Sequence, residues 1–132
     1  MDNSKTTPHI LVAEDDKMYA SVYKNKLTKE GYDVTLVSNG IDAVKKAKEI
    51  KPDLMLMDLI MPVMDGFEAL RQIKEDPGSS NVRVIVMSNL GQDSDISRAK
   101  ELGAEEYFVK SSVSIMELMD KIKAYIGAGS KA

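Results

Sequence analysis

The chain has 132 residues, the size of one compact domain, and 43% of them are hydrophobic, enough to fill a core without staples. It contains no cysteine, which excludes disulfides, zinc–thiolate sites and thiol nucleophiles and fits a reducing compartment. A net charge of −3, scattered Lys and Arg, and the lack of Trp exclude a broad phosphate-binding face and a base-stacking platform, so direct nucleic-acid binding is not expected.

Residues 1–8 are polar, with no signal-peptide core, and are expected to form a flexible tail ahead of a domain spanning residues 9–126. The first apolar run, Ile10 to Ala13, does not alternate with polar residues, as expected for a strand covered on both faces. Tyr19, Val22, Tyr23 and Leu27 then recur at helical spacing, and Gly31 stands where a left-handed residue ends a helix. Asp33 to Val37 is a weaker strand candidate, followed by a helix marked by Ala43, Val44 and Ala47.

Leu54 to Met57 is the second continuous apolar run. Pro62 and the Asp65-Gly66 pair form the turn beyond it, and Asp65 with Glu68 has capping-box spacing for a helix carrying Phe67, Leu70 and Ile73. Val82 to Met87 is the third run, and Ile96, Ala99 and Leu102 mark a helix closed by Gly103. Glu105 to Val109 is the last strand candidate. Ser114 and Glu117 cap a helix with Ile115, Leu118, Met119 and Ile122 on one face, and residues 127–132 are expected to form a second flexible tail.

A strand–helix unit repeated five times, joined by right-handed crossovers, predicts a doubly wound α/β fold with a five-stranded parallel sheet and five helices. No apolar run is long enough to span a bilayer, so the expected location is the cytoplasm, with no membrane insertion.

In such a sheet the functional crevice lies beyond the carboxyl ends of the strands. The first strand runs into Glu14-Asp15-Asp16 and the third into Asp58; the fourth ends at Ser88-Asn89 and the fifth at Lys110-Ser111-Ser112. With the flavodoxin-like strand order 2-1-3-4-5, the first and third strands are neighbours about 4.8 Å apart, and their terminal carboxylates share one pocket. Like charges that close need a cation or raised pKa values. Mg²⁺ suits them, because it takes one or two carboxylates, keeps several waters and completes its shell with phosphate oxygens.

Each piece also has a plainer reading. Asp16 fits a helix cap, Ser88 a turn hydroxyl and Lys110 a solvated surface lysine. The coincidence of acids, hydroxyl and amine on one sheet edge favours a site. Met55, Met57, Met61 and Met64 are read as gap-filling core residues rather than soft-metal ligands. His9, the single histidine, precedes the first strand and so stands at the end of the sheet away from the site.

The blocks Ile10-Leu-Val-Ala-Glu-Asp-Asp16, Asp58-Leu-Ile-Met-Pro-Val-Met-Asp-Gly66, Met87-Ser-Asn89 and Tyr107-Phe-Val-Lys110 resemble the signature blocks of response-regulator receiver domains, in order and at matching distances. The resemblance implies that Asp58 is the nucleophile accepting a phosphoryl group from a phosphohistidine. It also implies that Asp15 binds Mg²⁺ directly, Glu14 acts through water, and the Ile60 backbone carbonyl completes the protein's share. Lys110 and Ser88 would meet phosphoryl oxygens. Ser88 and Tyr107 would act as a switch that reshapes the face built by the fourth helix, fifth strand and fifth helix. The implied partners are a sensor histidine kinase or phosphotransfer protein and a downstream protein target. The chain would then be a signalling phosphoacceptor rather than an enzyme acting on an external substrate.

Two departures matter. Proline usually follows the lysine in the family, often with a cis bond; Ser111 stands there instead, and the cost of a non-proline cis bond, about 2.5–4 kcal/mol, predicts a trans peptide. The resemblance also implies that two positions which commonly tune phosphoryl loss in the family are occupied here by the apolar Ile60 and Leu90, which predicts a long-lived phosphorylated form. Nothing after Ile126 resembles an output domain, which leaves open a stand-alone regulator or a receiver from a longer protein.

Two other functions use similar architectures. A flavodoxin-type carrier would need a Gly- and Ser/Thr-rich phosphate loop after the first strand, where this chain has three acids, and its protein would be coloured. A magnesium-dependent small-molecule phosphatase would need substrate-capping insertions that the chain lacks, and would hydrolyse generic phosphomonoesters.

Overall fold

A computed structural model of the chain describes residues 7–127 and residue 129; the tail expectations for residues 1–6, 128 and 130–132 lie outside the described residues. Strands and helices alternate: β1 (His9–Ala13), α1 (Lys17–Lys29), β2 (Asp33–Val37), α2 (Gly40–Ile50), β3 (Leu54–Met57), α3 (Gly66–Glu75), β4 (Arg83–Ser88), α4 (Asp93–Glu101), β5 (Glu106–Val109) and α5 (Ile115–Ile126). All strand pairs are parallel and the sheet order is β2-β1-β3-β4-β5, as the apolar runs predict.

The continuous runs face two cores. Leu11, Ala13, Met55, Met57, Val84 and Val86 point to one side, where Ala43 and Ala47 of α2, Leu70 and Ile73 of α3 and Ala99 of α4 cover them. Ile10, Val12, Leu54, Leu56, Ile85 and Met87 point to the other, under Tyr23 and Leu27 of α1 and Leu118, Met119 and Ile122 of α5. Each fully buried Leu, Ile or Met contributes about 1.5–3 kcal/mol relative to exposure. Met55 and Met57 of the second run are wholly buried, and Met61 of the loop beyond it nearly so, which gives all three the packing role expected of them.

The helix ends follow the sequence signals. Asp65 caps α3 by accepting from the Glu68 amide at 2.9 Å, and Ser114 with Glu117 forms a reciprocal capping box on α5. Gly31 and Gly103 take positive φ angles of 93° and 110° just past α1 and α4. The end of α2 carried no such signal: Lys51 adopts φ 45° there, because Pro52 bars the residue before it from continuing the helix. One strand boundary moves. The Val82 amide donates to Ser79 O in the turn after α3, so β4 starts at Arg83 and extends to Ser88.

The register brings the strand ends level. Ala13 pairs with Val37 on one side and with Met57 on the other. Backbone bonds continue one residue past the strands: Glu14 N to Val37 O at 3.0 Å, Asp58 N to Ala13 O at 3.0 Å, and Lys110 N to Ser88 O at 2.9 Å. Glu14, Asp58 and Lys110 therefore leave the sheet at one edge with their backbones fixed. His9 lies at the opposite edge, its ring nitrogen Nε2 2.7 Å from Thr35 Oγ1.

Candidate functional site

Polar side chains are costly to bury without partners, so those that are buried mark a site or a structural bond. Among the described residues these are Glu14, Asp58, Ser79 and Ser88. Ser79 is structural, its hydroxyl donating to Ile73 O at 2.8 Å. The other three stand at the carboxyl edge of the sheet.

Lys110 links the acids. Its Nζ lies 2.6 Å from Glu14 Oε1 and 3.0 Å from Asp58 Oδ2. The second oxygens are also engaged: the Ile60 amide donates to Asp58 Oδ1 at 3.2 Å and the Asp16 amide to Glu14 Oε2 at 3.1 Å. Burial pushes the Glu14 carboxyl up to about 7, with the Lys110 bond pulling against that rise. Burial works against the Lys110 charge, but Glu14 and Asp58 outweigh it and hold the ammonium above its ordinary value.

Asp15 is exposed, and carboxylate oxygens of Glu14, Asp15 and Asp58 lie within 4.8 Å of one another. Three carboxylates against one ammonium leave excess negative charge in one place. Hard oxygen donors, that excess charge and an open side at Asp15 fit Mg²⁺ with its retained waters. Asp16 does something else: its Oδ1 accepts from the Met18 and Tyr19 amides at 2.9 and 3.3 Å, capping α1.

An open cavity of about 290 Å³ lies over these groups, lined by Glu14, Asp15, Asp16, Tyr19, Asp58, Ile60, Asn89 and Lys110. The sequence brought five of these forward as site residues: Glu14, Asp15, Asp58, Ile60 and Lys110. Ser88 and Tyr107 stand outside the lining. Ser88 is fully buried and its Oγ accepts from the Leu90 amide at 3.2 Å, while the Tyr107 hydroxyl donates to the Leu90 carbonyl. Burial raises the Tyr107 pKa. Helical spacing alone places Tyr19 on the apolar face of α1; the signal for more is its place one turn beyond the acids.

Gly66 explains why the loop after β3 closes so tightly on Asp58. A Cβ there would sit 2.3 Å from Asp58 O and 2.6 Å from Leu59 Cα, and the Gly66 amide donates to Leu59 O at 2.8 Å. The Lys110–Ser111 peptide is trans; among the described residues no peptide bond is cis.

Residues 10–123 match the family described as the response regulator receiver domain. The chemotaxis protein CheY of Thermotoga maritima is 36% identical over 117 residues, covering 86% of this chain and 95% of that protein. The polar-differentiation response regulator DivK of Brucella anthropi is 28% identical over 118 residues, covering 89% and 95%. Among solved structures, the receiver domain of a sensor histidine kinase from Pseudomonas aeruginosa, described with a magnesium ion coordinated in its active-site cleft, superposes with a TM-score of 0.83. Its sequence identity is 31%, over 92% of this chain and 99% of that one.

Proposed function

This chain belongs to the response regulator receiver domain family, and from that membership we propose that it accepts a phosphoryl group from a phosphohistidine onto Asp58 in a Mg²⁺-dependent reaction. The observation that carries the reading is the buried Asp58 carboxylate, anchored by Lys110 Nζ at 3.0 Å and by the Ile60 amide at 3.2 Å, at the floor of an acidic cavity.

An Asp58 oxygen attacks phosphorus in line with the bond to the donor imidazole. The P–O bond forms as the P–N bond breaks, and its electron pair leaves with the imidazole. Lys110 faces the phosphoryl oxygens and offsets their charge as they arrive. Asp15 and Asp58 would hold Mg²⁺, with the Ile60 carbonyl beside them and Glu14 reaching it through water. The bound ion would supply charge neutralisation at the phosphoryl oxygens.

Signalling would follow from Ser88 and Tyr107. Both already converge on Leu90, one through its amide and one through its carbonyl, so a Ser88 hydroxyl drawn toward a phosphoryl oxygen would disturb the Tyr107 bond. That change is transmitted to the face of α4, β5 and α5, where a downstream protein target binds. The partners are thus a histidine kinase or phosphotransfer protein and that target, in the cytoplasm; the receiver domain is assigned to residues 9–126. Among the described residues no helix is long and apolar enough to cross a membrane.

Intact-mass spectrometry with acetyl phosphate tests the reading. One phosphoryl adduct is expected with Mg²⁺, none with chelator, and none in Asp58→Asn. Full labelling of Asp58→Asn would move the nucleophile elsewhere.

A further inference from the structure

Tyr19 neither accepts the phosphoryl group nor offers a ligand to the metal, yet its ring meets Lys110, the cation that faces the phosphoryl oxygens. The Lys110 Nζ lies 4.3 Å from the centroid of the Tyr19 ring, inside the range of about 6 Å over which a ring face attracts a cation. Tyr19 sits on the first turn of α1, where its own amide is tied to the Asp16 cap at 3.3 Å. Its ring is backed by Tyr23, with centroids 5.9 Å apart and planes 27° from parallel, and Tyr23 is buried in the core. The ring is therefore held by its stacked neighbour and through its backbone.

An ammonium has three donors. Those of Lys110 meet Glu14 Oε1 and Asp58 Oδ2, and the ring closes a further side. When Asp58 gains a phosphoryl group, the esterified oxygen loses its negative charge. Lys110 must then follow the charge outward to a phosphoryl oxygen, while Glu14, only 2.6 Å away, pulls it back. A ring face attracts the cation without a directional hydrogen bond, so it steadies Lys110 through that shift without competing for a fixed donor.

We propose that Tyr19 is a positioning residue whose ring face holds Lys110 at the cavity wall, where the ammonium meets the arriving phosphoryl group. This role rests on the reading of Asp58 as phosphoacceptor. In the step concerned, an Asp58 oxygen bonds to phosphorus, the bond to the donor breaks with its electron pair on the donor, and Lys110 keeps all its protons.

The test compares Tyr19→Phe, which keeps the ring face, with Tyr19→Leu, which removes it but remains a good helix former. Phosphorylation is followed by intact mass over a range of acetyl phosphate concentrations with saturating Mg²⁺. Tyr19→Phe should stay within about twofold of wild type, while Tyr19→Leu loses roughly tenfold in the maximal rate constant, about 1.4 kcal/mol, at unchanged half-saturating donor. Tyr19→Met serves as a second ring-free variant in case Leu melts the chain. Independently of any phosphorylation, NMR should show the Lys110 ε-protons shifted upfield by the ring in wild type and Tyr19→Phe, and unshifted in the ring-free variants. A ring-free variant as fast as wild type, a Phe variant as slow as Leu, or unshifted ε-protons in wild type each overturn the positioning role. A wild type that takes up no phosphoryl group overturns the phosphoacceptor reading and the positioning role with it, while the NMR result still reports the contact.

Discussion

Glu14 and Lys110 form an ion pair at 2.6 Å in which the side chains keep only 2% and 4% of their exposure. Such a pair is held together by what would follow from breaking it. Removing one partner of a buried pair leaves an uncompensated charge and costs about 3–5 kcal/mol. Lys110→Ala strands both Glu14 and Asp58, so it should lower stability by about 3 kcal/mol in chelator, read as a fall in the urea midpoint. The same variant should accept phosphoryl poorly.

Protons and metal should compete at Glu14. Its carboxyl is raised to about 7 in the folded chain by burial, against an ordinary value of 4.5. The folded state thus binds more protons than the unfolded one between those values, and stability falls as pH rises through that window. The contribution of Glu14 is fully present below 4.5 and lost above about 7. A bound divalent cation would replace the proton as the neutralising charge. Mg²⁺ should therefore raise the melting temperature more at pH 8 than at pH 6, and calorimetric Mg²⁺ affinity should rise several-fold between those pH values. An equal effect of Mg²⁺ at both would remove Glu14 from the metal's surroundings.

Asp15 and Asp16 are adjacent but should separate cleanly. Asp16 spends its carboxylate on the α1 cap, whereas Asp15 offers an oxygen to the cluster with Glu14 and Asp58. Asp15→Asn should abolish most of the heat of Mg²⁺ binding with little change in melting. Asp16→Ala should cost about 1 kcal/mol of stability and leave Mg²⁺ affinity near wild type. The opposite pattern would shift the functional register of the strand end by one residue.

Val63 carries strain that nothing in its side chain repays. It has φ 72°, in the left-handed region, and is 77% exposed. A β-branched residue there costs about 1–2 kcal/mol, while glycine brings back about 0.5–1 in backbone entropy. Val63→Gly should stabilise the chain by up to about 1 kcal/mol, a rise of a few degrees in a thermal melt. No gain would mean that the loop after β3 already relaxes this angle in solution.

The fold was legible because the sequence speaks at every boundary. Uninterrupted runs such as Leu54 to Met57 can be covered only from both sides, and the Gly31, Gly103, Asp65 and Ser114 signals all fall where helices begin or end. At the end of α2 only the stop was legible, since Pro52 bars Lys51 from the helical region, while the left-handed angle of Lys51 has no signal in its residue type. The acids at the sheet edge could be grouped from strand order alone. What strand order could not give was side-chain direction: that Asp16 turns back to cap α1, that Ser88 and Tyr107 meet at Leu90 behind the cavity, and that Tyr19 faces Lys110.

The lifetime of the phosphorylated form should depend on Ile60 far more than on Leu90. Loss of phosphoryl needs a water in line with the leaving oxygen, and a polar side chain at the mouth would orient it. Ile60 lines the cavity with 55% of its surface exposed, and its apolar side chain offers a water there no hydrogen bond. Leu90 is packed against the core, with its backbone engaged by Ser88 and Tyr107. Its side chain therefore controls the loop rather than the water. Decay of the phosphorylated protein, followed by intact mass after donor removal, should quicken about tenfold in Ile60→Asn, which corresponds to about 1.4 kcal/mol of help to the attacking water. Adding Leu90→Glu should change that rate little unless it pulls the loop from the core, which a lower melting temperature would reveal. Equal decay in wild type and Ile60→Asn would leave Lys110 and the metal as the groups that set the rate.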